Sequence, residues 1–326
     1  MDGSLDTIPA TGPVTEVSVP ARSEPEIVAQ RSLKSSIGCV GVGLHSGQRV
    51  QMTFRPAPAG SGIVFRRTDL RIDIPARFDH VAATRLCTVL AAADQPDASV
   101  GTVEHLMAAL AGCAVDNLLI EIDGPEVPIL DGSAASFVFL LECAGIVEQE
   151  APRAAIEILR PVRVEEDDAF VELRPRERGT APGFDMELSI AFDAPAIGEQ
   201  SFAIRLAPEA FRQELARART FTVASEIAGL KAAGLARGGS LENAVVVDDT
   251  RVLNPGGLRM PDEFVRHKLL DAVGDLALAG AALRGRLVAH RSGHTLNNRV
   301  LRALFADPAN WRPAPAALPG WLSAAA

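Results

Sequence analysis

The chain has 326 residues, 48% of them apolar and 22% charged, with a formal net charge of −9. At roughly 150 residues per domain this length suggests two domains, and the composition excludes wholesale disorder. The acidic balance, without a Lys/Arg block, argues against a nucleic-acid binder or a membrane binder held by charge. Residues 1–30 hold four prolines and five acids against one arginine, with no helical or strand period, and read as a disordered acidic tail. That tail lacks the hydrophobic segment of a secretory signal. The longest apolar candidate, Ser133 to Val147, is too short for a membrane span and carries Glu142.

Within 31–152, Arg49–Arg55 alternates polar and apolar residues, as a strand with one buried face does. Gly62–Arg66 and the apolar run Asn117–Ile122 add strands, with helices expected at about Thr102–Ala111 and Ala134–Cys143. The DGP and DGS steps at 123–125 and 131–133 read as turns. The segment APRAA (151–155) then interrupts the pattern, and a similar order restarts over 153–306. Strands are expected at 156–164, 169–174, 185–192, 202–206, 244–248 and 284–290, and helices at 208–218, 223–233, 262–279 and 295–304. The stretch 307–326, rich in proline and alanine, reads as a loose C-terminal tail. The expected fold class is α+β: two halves, each a strand meander followed by helices, suggest two similar α+β layers. Four cysteines lie at least 26 residues apart with no C-x-x-C pair. That spacing argues against a zinc ribbon and leaves a cytoplasmic protein with reduced thiols as the default.

Four short stretches could carry chemistry. GVGLHSG (41–47) resembles a dinucleotide-binding glycine loop, but position 46 is serine and a strand follows, so a turn between strands fits better. In TVEHLMAALAG (102–112), Val103, Leu106, Met107 and Leu110 form a buried stripe. Glu104 and His105 stand off it in the first turn, next to small alanines. The positive helix end disfavours imidazolium, so a neutral His105 able to bind a metal is expected. An adjacent Glu-His pair also suits a solvated helix end.

The segment 262–276 places His267, Asp271 and Asp275 in an i, i+4, i+8 row, away from the buried face of Val265, Leu269, Ala272 and Leu276. Residues four apart have Cβ atoms roughly 6 Å apart, so His267 and Asp271 can grip one ion. Asp275 lies about 12 Å along the axis from His267 and suits a role orienting another group. A charged face without an ion is the competing interpretation. H-E-x-x-H does not occur, so a third ligand must come from elsewhere, and His105 is the open candidate. His294, in SGHTLNN (292–298), lies where a strand meets the last helix. His45, His80 and His290 fall in turn or strand contexts that favour structural roles.

Taken together these stretches resemble the UDP-3-O-acyl-N-acetylglucosamine deacetylases, the zinc amidases of lipid A biosynthesis. The resemblance is carried by GVGLHSG (41–47), FRPAPAGSGIVFRRTDL (54–70), LCT (86–88), TVEHLMAALAG (102–112) and DNLLIEIDGPEVPILDGSAASF (116–137). It continues through RARTF (217–221), GLARGGSLENAVVVDD (234–249), DEFVRHKLLDAVGDL (262–276) and SGHTLNN (292–298). It implies two similarly built two-layer sheet/helix domains with the active site between them, and one catalytic zinc held by His105, His267 and Asp271, with Glu104 as the catalytic carboxylate and His294 as the catalytic histidine. Asp275 matches the acid that orients that histidine, and Thr220 a residue that helps hold the oxyanion. Lys268, Phe192, Phe221 and Ile227 match substrate-binding positions, with Phe192 beside the uracil and Ile227 in an acyl-passage insert at about 223–243. Ala169 stands where some members have a lysine suited to the diphosphate, leaving Lys268 or Arg291 for that contact. The implied partner is a small-molecule UDP-sugar, with no nucleic acid, no membrane span and a monomeric state. Two alternatives are a different zinc amidohydrolase or peptidase, against which the missing helix motif speaks, and a catalytically silent nucleotide-sugar binder.

Overall fold

A computed structural model describes residues 28–314, so the expected tails at 1–30 and 307–326 lie outside the described residues except for 28–30 and 307–314. The first part of the chain contributes β1 (Ala29–Leu33), β2 (Ile37–Val42), β3 (Arg49–Pro56), β4 (Ile63–Arg67) and β5 (Ile72–Pro75). It continues with β6 (Val81–Ala83), β7 (Val89–Ala92), β8 (Gln95–Val100), helix α1 (Glu104–Gly112), β9 (Leu118–Ile122), α2 (Ala135–Ala144) and β10 (Ile146–Pro152). A five-stranded sheet runs in the order β2-β3-β9-β4-β5, with only β4 and β9 parallel. Its buried face is set by alternation: Val50, Met52 and Phe54 point inward from β3, and Leu118, Ile120 and Ile122 from β9. A small sheet of β6, β7 and β8 leads directly into α1.

The rest of the chain supplies β11 (Ala155–Ile158), β12 (Val162–Glu166), β13 (Ala169–Arg174), β14 (Phe184–Ala191) and β15 (Glu199–Arg205). Then come α3 (Pro208–Ala210), β16 (Phe221–Val223), α4 (Ala224–Ala232), β17 (Val245–Asp248) and β18 (Arg251–Val252). The last elements are α5 (Glu263–Ala277), β19 (Ala282–His290), α6 (His294–Ala306) and β20 (Trp311–Ala314). The seven-stranded sheet centres on β19, which pairs with β11 through 282–284 and with β13 and β14 beyond it. Gly285 marks this change of partner, since a Cβ there would stand 2.8 Å from Ile158 Cδ1. β16, α4 and β17 form a small parallel β-α-β unit, because β16 and β17 run side by side in the same direction.

Helices α5 and α6 cover the larger sheet, α2 leans on β2, and α1 packs against α5. The mixture of sheets and helices is the expected α+β class.

Several expectations need correction. The expected strand 156–164 is two strands, β11 and β12, separated at Leu159–Pro161. Pro161 cannot donate to a ladder, and the chain changes neighbours there, from β19 and β20 to β13. The expected helix 208–218 begins as α3 but widens into a π turn at Phe211–Leu215. Of the loose coil expected from 307, the described residues to 314 form instead a 3₁₀ turn followed by β20, which pairs antiparallel with β11. As an edge strand β20 tolerates Pro313. At the other end, β1 starts at Ala29, inside the span assigned to the acidic tail.

Candidate active site

The closest meeting of the two parts of the chain is where α1 crosses α5. Gly274 makes this possible: a Cβ there would collide with the Glu104 carbonyl oxygen and stand 3.0 Å from Ala108 N. With no side chain in the way, the first turn of α1 is laid directly over the middle of α5. Glu104 and His105 thereby face His267, Asp271 and Asp275. All five are buried, at 2–4% exposure, whereas an unpaired charged residue is rarely buried at all. The amphipathic stripe expected on α1 is therefore too narrow: the helix is buried nearly all round.

Three donor groups converge. Asp271 Oδ1 lies 3.4 Å from His105 Nε2 and 3.3 Å from His267 Nε2. The rings of the two histidines meet edge to face at 4.9 Å between centroids. One ligand atom from each residue falls within 4.8 Å of the others. Ligands of a tetrahedral site with bonds of about 2.0–2.2 Å sit roughly 3.3–3.6 Å apart, so the two measured separations suit a shared ion. The Ala218 carbonyl is 3.1 Å from His267 Nδ1, which places the ring proton on Nδ1 and leaves Nε2 as a lone-pair donor. Burial pushes the His267 pKa down to about 4, so it is neutral. Asp271 Oδ1 is buried without a hydrogen-bond partner, a costly arrangement that a bound cation would relieve. Burial works against ionising Asp271, yet His267 and Lys268 hold its carboxyl well below the usual range. Lys268 Nζ donates to its other oxygen, Oδ2, at 2.9 Å.

Burial lowers the His105 pKa, but the Asp271 carboxylate 3.4 Å from its Nε2, with Glu104 beside it, raises it overall. The helix-end effect anticipated from sequence is outweighed by two carboxylates. A cation bound to Nε2 would compete with protonation there.

Around this cluster stand the two other groups of interest. Burial raises the pKa of Glu104, against the attraction of His294 and His105. Glu104 Oε2 accepts the backbone N–H of Thr88 at 3.0 Å. His294 opens α6, and its Nδ1 lies 2.9 Å from Asp275 Oδ2. Burial opposes the imidazolium, but Asp275 and Glu104 raise the His294 pKa to about 9. Asp275 also accepts from the Thr88 hydroxyl at 2.6 Å and from Asn297 Nδ2 at 2.9 Å. It is thus bonded to His294 and stands outside the His-His-Asp cluster.

Thr220 N donates to Gly132 O at 2.8 Å, tying the RARTF segment to the first part of the chain. Phe221 meets Phe192, Phe264 and His267 edge to face at 5.5, 5.0 and 6.2 Å between centroids. Phe192 is 39% exposed, which leaves its ring available to a ligand. Ile227 is half-buried on α4, and Val223, Leu230 and Leu235 are half-buried around it. Ala169 opens β13, while Arg291 donates to Asp168 at 2.7 Å.

Sequence reasoning missed the residues that fix these groups. Arg219 and Glu263 form a buried ion pair at 2.8 Å, and Glu263 also accepts the backbone N–H of Arg219 and of Arg259. This pair fastens residues 217–221 to the start of α5, so that the Ala218 carbonyl reaches His267. The paired signals were present as RARTF and DEF, but 44 residues apart. His45, assigned a structural role, has both ring nitrogens buried without partners, and His294 is among the charges that act on it. Its loop is held by Glu126, which accepts from the N–H groups of His45 and Ser46 at 2.8 Å each. His80 and His290 do have partners, Ala91 O and Ser189 Oγ.

Residues 30–306 match the family described as LpxC: UDP-3-O-acyl N-acetylglycosamine deacetylase. Among curated proteins, the chain is 48% identical over 289 residues to the UDP-3-O-acyl-N-acetylglucosamine deacetylase of Idiomarina loihiensis, covering 87% of this chain and 92% of that protein. It is 49% identical to the enzyme of the same name from Myxococcus xanthus, over 90% of this chain and 91% of that one. A third similar protein, from Anaeromyxobacter, is 49% identical over 86% and 89% of the two chains. A match of this extent, running through every element that carries the buried cluster, means that the chain belongs to the UDP-3-O-acyl-N-acetylglucosamine deacetylase family.

Proposed function

We propose that this chain is a zinc-dependent amidohydrolase that removes the N-acetyl group of UDP-3-O-(3-hydroxyacyl)-N-acetylglucosamine in lipid A biosynthesis, acting in the cytoplasm as a monomer. The observation that carries the proposal is the buried convergence of His105, His267 and Asp271, with Glu104 and His294 beside it. Those three residues would hold the ion. A zinc ion there supplies Lewis acidity, polarising the acetamide carbonyl and lowering the pKa of water to about 7.

The remaining work falls to side chains of this protein. Glu104 takes a proton from the attacking water, and its raised pKa makes it a stronger base than an exposed carboxylate. His294, held as imidazolium by Asp275, donates to the developing oxyanion, with Thr220 as a further donor. As the C–N bond breaks, a proton must reach the leaving nitrogen, because an unprotonated amide anion is a poor leaving group. His294 supplies it. The products are acetate and the free glucosamine amine.

Substrate contacts follow from placement. Lys268 offers an ammonium beside the ligand cluster, and Phe192 and Phe221 offer apolar ring faces to the nucleotide end. The acyl chain runs along Val223, Ile227, Leu230 and Leu235, so the insert at 223–243 sets chain-length preference. Lys268 and Arg291 are the candidate cations for the diphosphate, bonded here to Asp271 and Asp168.

The test is acetate release from UDP-3-O-acyl-N-acetylglucosamine with and without a chelator. The proposal expects release that the chelator abolishes. A silent binder would take up the sugar nucleotide without release, and a different zinc hydrolase would act on other amides only.

A further inference from the structure

The LCT segment (86–88) matches the family, yet none of the roles above uses it. Thr88 lies immediately before β7 and is 1% exposed. Its backbone N–H donates to Glu104 Oε2 at 3.0 Å, and its hydroxyl donates to Asp275 Oδ1 at 2.6 Å. Its carbonyl accepts from Val103 N at 3.4 Å, at the start of α1. One residue thus touches the carboxylate that takes a proton and the carboxylate that holds the proton donor, on two helices from different parts of the chain. Leu86, two residues earlier, has φ 66°, a left-handed conformation that a non-glycine residue keeps only where its surroundings impose it.

Asp275 is held at both ends. Thr88 occupies Oδ1, while His294 and Asn297 share Oδ2. A carboxylate gripped this way cannot turn about its terminal torsion, so Oδ2 stays aimed at His294 Nδ1. Threonine is stiff at χ1, which fixes the direction of the hydroxyl. Without that hydroxyl, Oδ1 becomes a buried acceptor with no donor and the carboxylate is free to rotate. We infer that Thr88 is a positioning residue that sets Asp275, and through it His294, in register with Glu104.

This inference rests on the proposed deacetylation, and the experiment keeps the two apart. Thr88→Val keeps the shape and the backbone N–H on Glu104 but removes the donor to Asp275; Thr88→Ser keeps the donor. Acetate release, metal content and melting temperature are measured for the parent, both variants, Asp275→Ala and the double variant Thr88→Val/Asp275→Ala. Thr88→Val should lower kcat roughly 10- to 100-fold, with KM within about twofold and bound metal unchanged, the scale for a misplaced catalytic group. Thr88→Ser should recover kcat to within about threefold of the parent. In the Asp275→Ala background, Thr88→Val should cost no more than about twofold further, because the two act through one contact. If the valine variant does not fold, Thr88→Ala carries the same comparison. An unchanged kcat in Thr88→Val, a serine variant as impaired as the valine one, or fully multiplicative losses would overturn the role of Thr88. A parent that releases no acetate would instead overturn the proposed activity.

Discussion

Gly274 on α5 and Glu104 on α1 touch backbone to backbone: a Cβ on Gly274 would stand 2.7 Å from the Glu104 carbonyl carbon. The active cluster depends on that contact, because His105 reaches Asp271 only while the two helices are this close. Gly274→Ala should therefore force the helices apart. The expected cost is about 1–3 kcal/mol in stability, the scale of overpacking a tight interior. Metal affinity should fall as well, since the variant displaces a ligand-bearing helix. Thermal unfolding and metal titration check both, and an alanine variant with parental metal affinity would contradict the account.

Removing a ligand should separate metal from fold. His267→Ala is expected to strip the ion while the chain stays folded, because α5 keeps its apolar contacts through Phe264, Val265, Leu269 and Leu270. Metal analysis and circular dichroism on the purified variant give the answer. Retained stoichiometric metal would show that the ion sits elsewhere.

Glu104→Ala and His294→Ala should behave differently from that variant. Neither side chain belongs to the converging triad. Each should retain metal yet lose at least about 100-fold in kcat, the usual scale for a general acid or base. Loss of metal from His294→Ala would mean that the ligand set is wrongly assigned.

The pH profile has a direction that the structure sets. Burial disfavours the His294 imidazolium, but Asp275 and Glu104 outweigh it and raise its pKa to about 9. Since the protonated form is needed, activity falls as pH rises through that value. A bound dication repels imidazolium and pulls the basic limb of kcat/KM below it. Asp275→Ala removes a favourable negative charge, so the basic limb should move to lower pH. The acidic limb reflects Glu104, which must be deprotonated to act. These groups interact, so each limb belongs to the assembly. A basic limb unmoved in Asp275→Ala would remove His294 from the role of acid.

For the acyl chain, Ile227→Arg places a charge among the half-buried apolar side chains of α4. KM for a long-chain substrate should rise much more than KM for a short-chain analogue. Equal changes would place the chain on another surface.

Much of the catalytic helix was legible because its chemistry is local. His267, Asp271 and Asp275 are spaced by one helical turn, and the separation of the third from the first two follows from rise per residue alone. Glu104 and His105 were visible as a pair, but their burial was not, because it depends on Gly274 more than 160 positions away in the chain. The small sheet that carries Thr88 left no pattern: β6, β7 and β8 are three to six residues long and include exposed Ala, Asp and Pro. β20 was hidden by Pro313, which an edge strand accepts. The Arg219–Glu263 pair illustrates the general reason: ion pairs between distant segments have no period to read.

The most direct measurement is a zinc titration of the metal-free protein, following acetate release from UDP-3-O-acyl-N-acetylglucosamine. The account predicts no release without metal, a linear rise as zinc is added, and a plateau at one ion per chain. Undiminished release from the metal-free protein, or zinc bound at one per chain without any release, would contradict it.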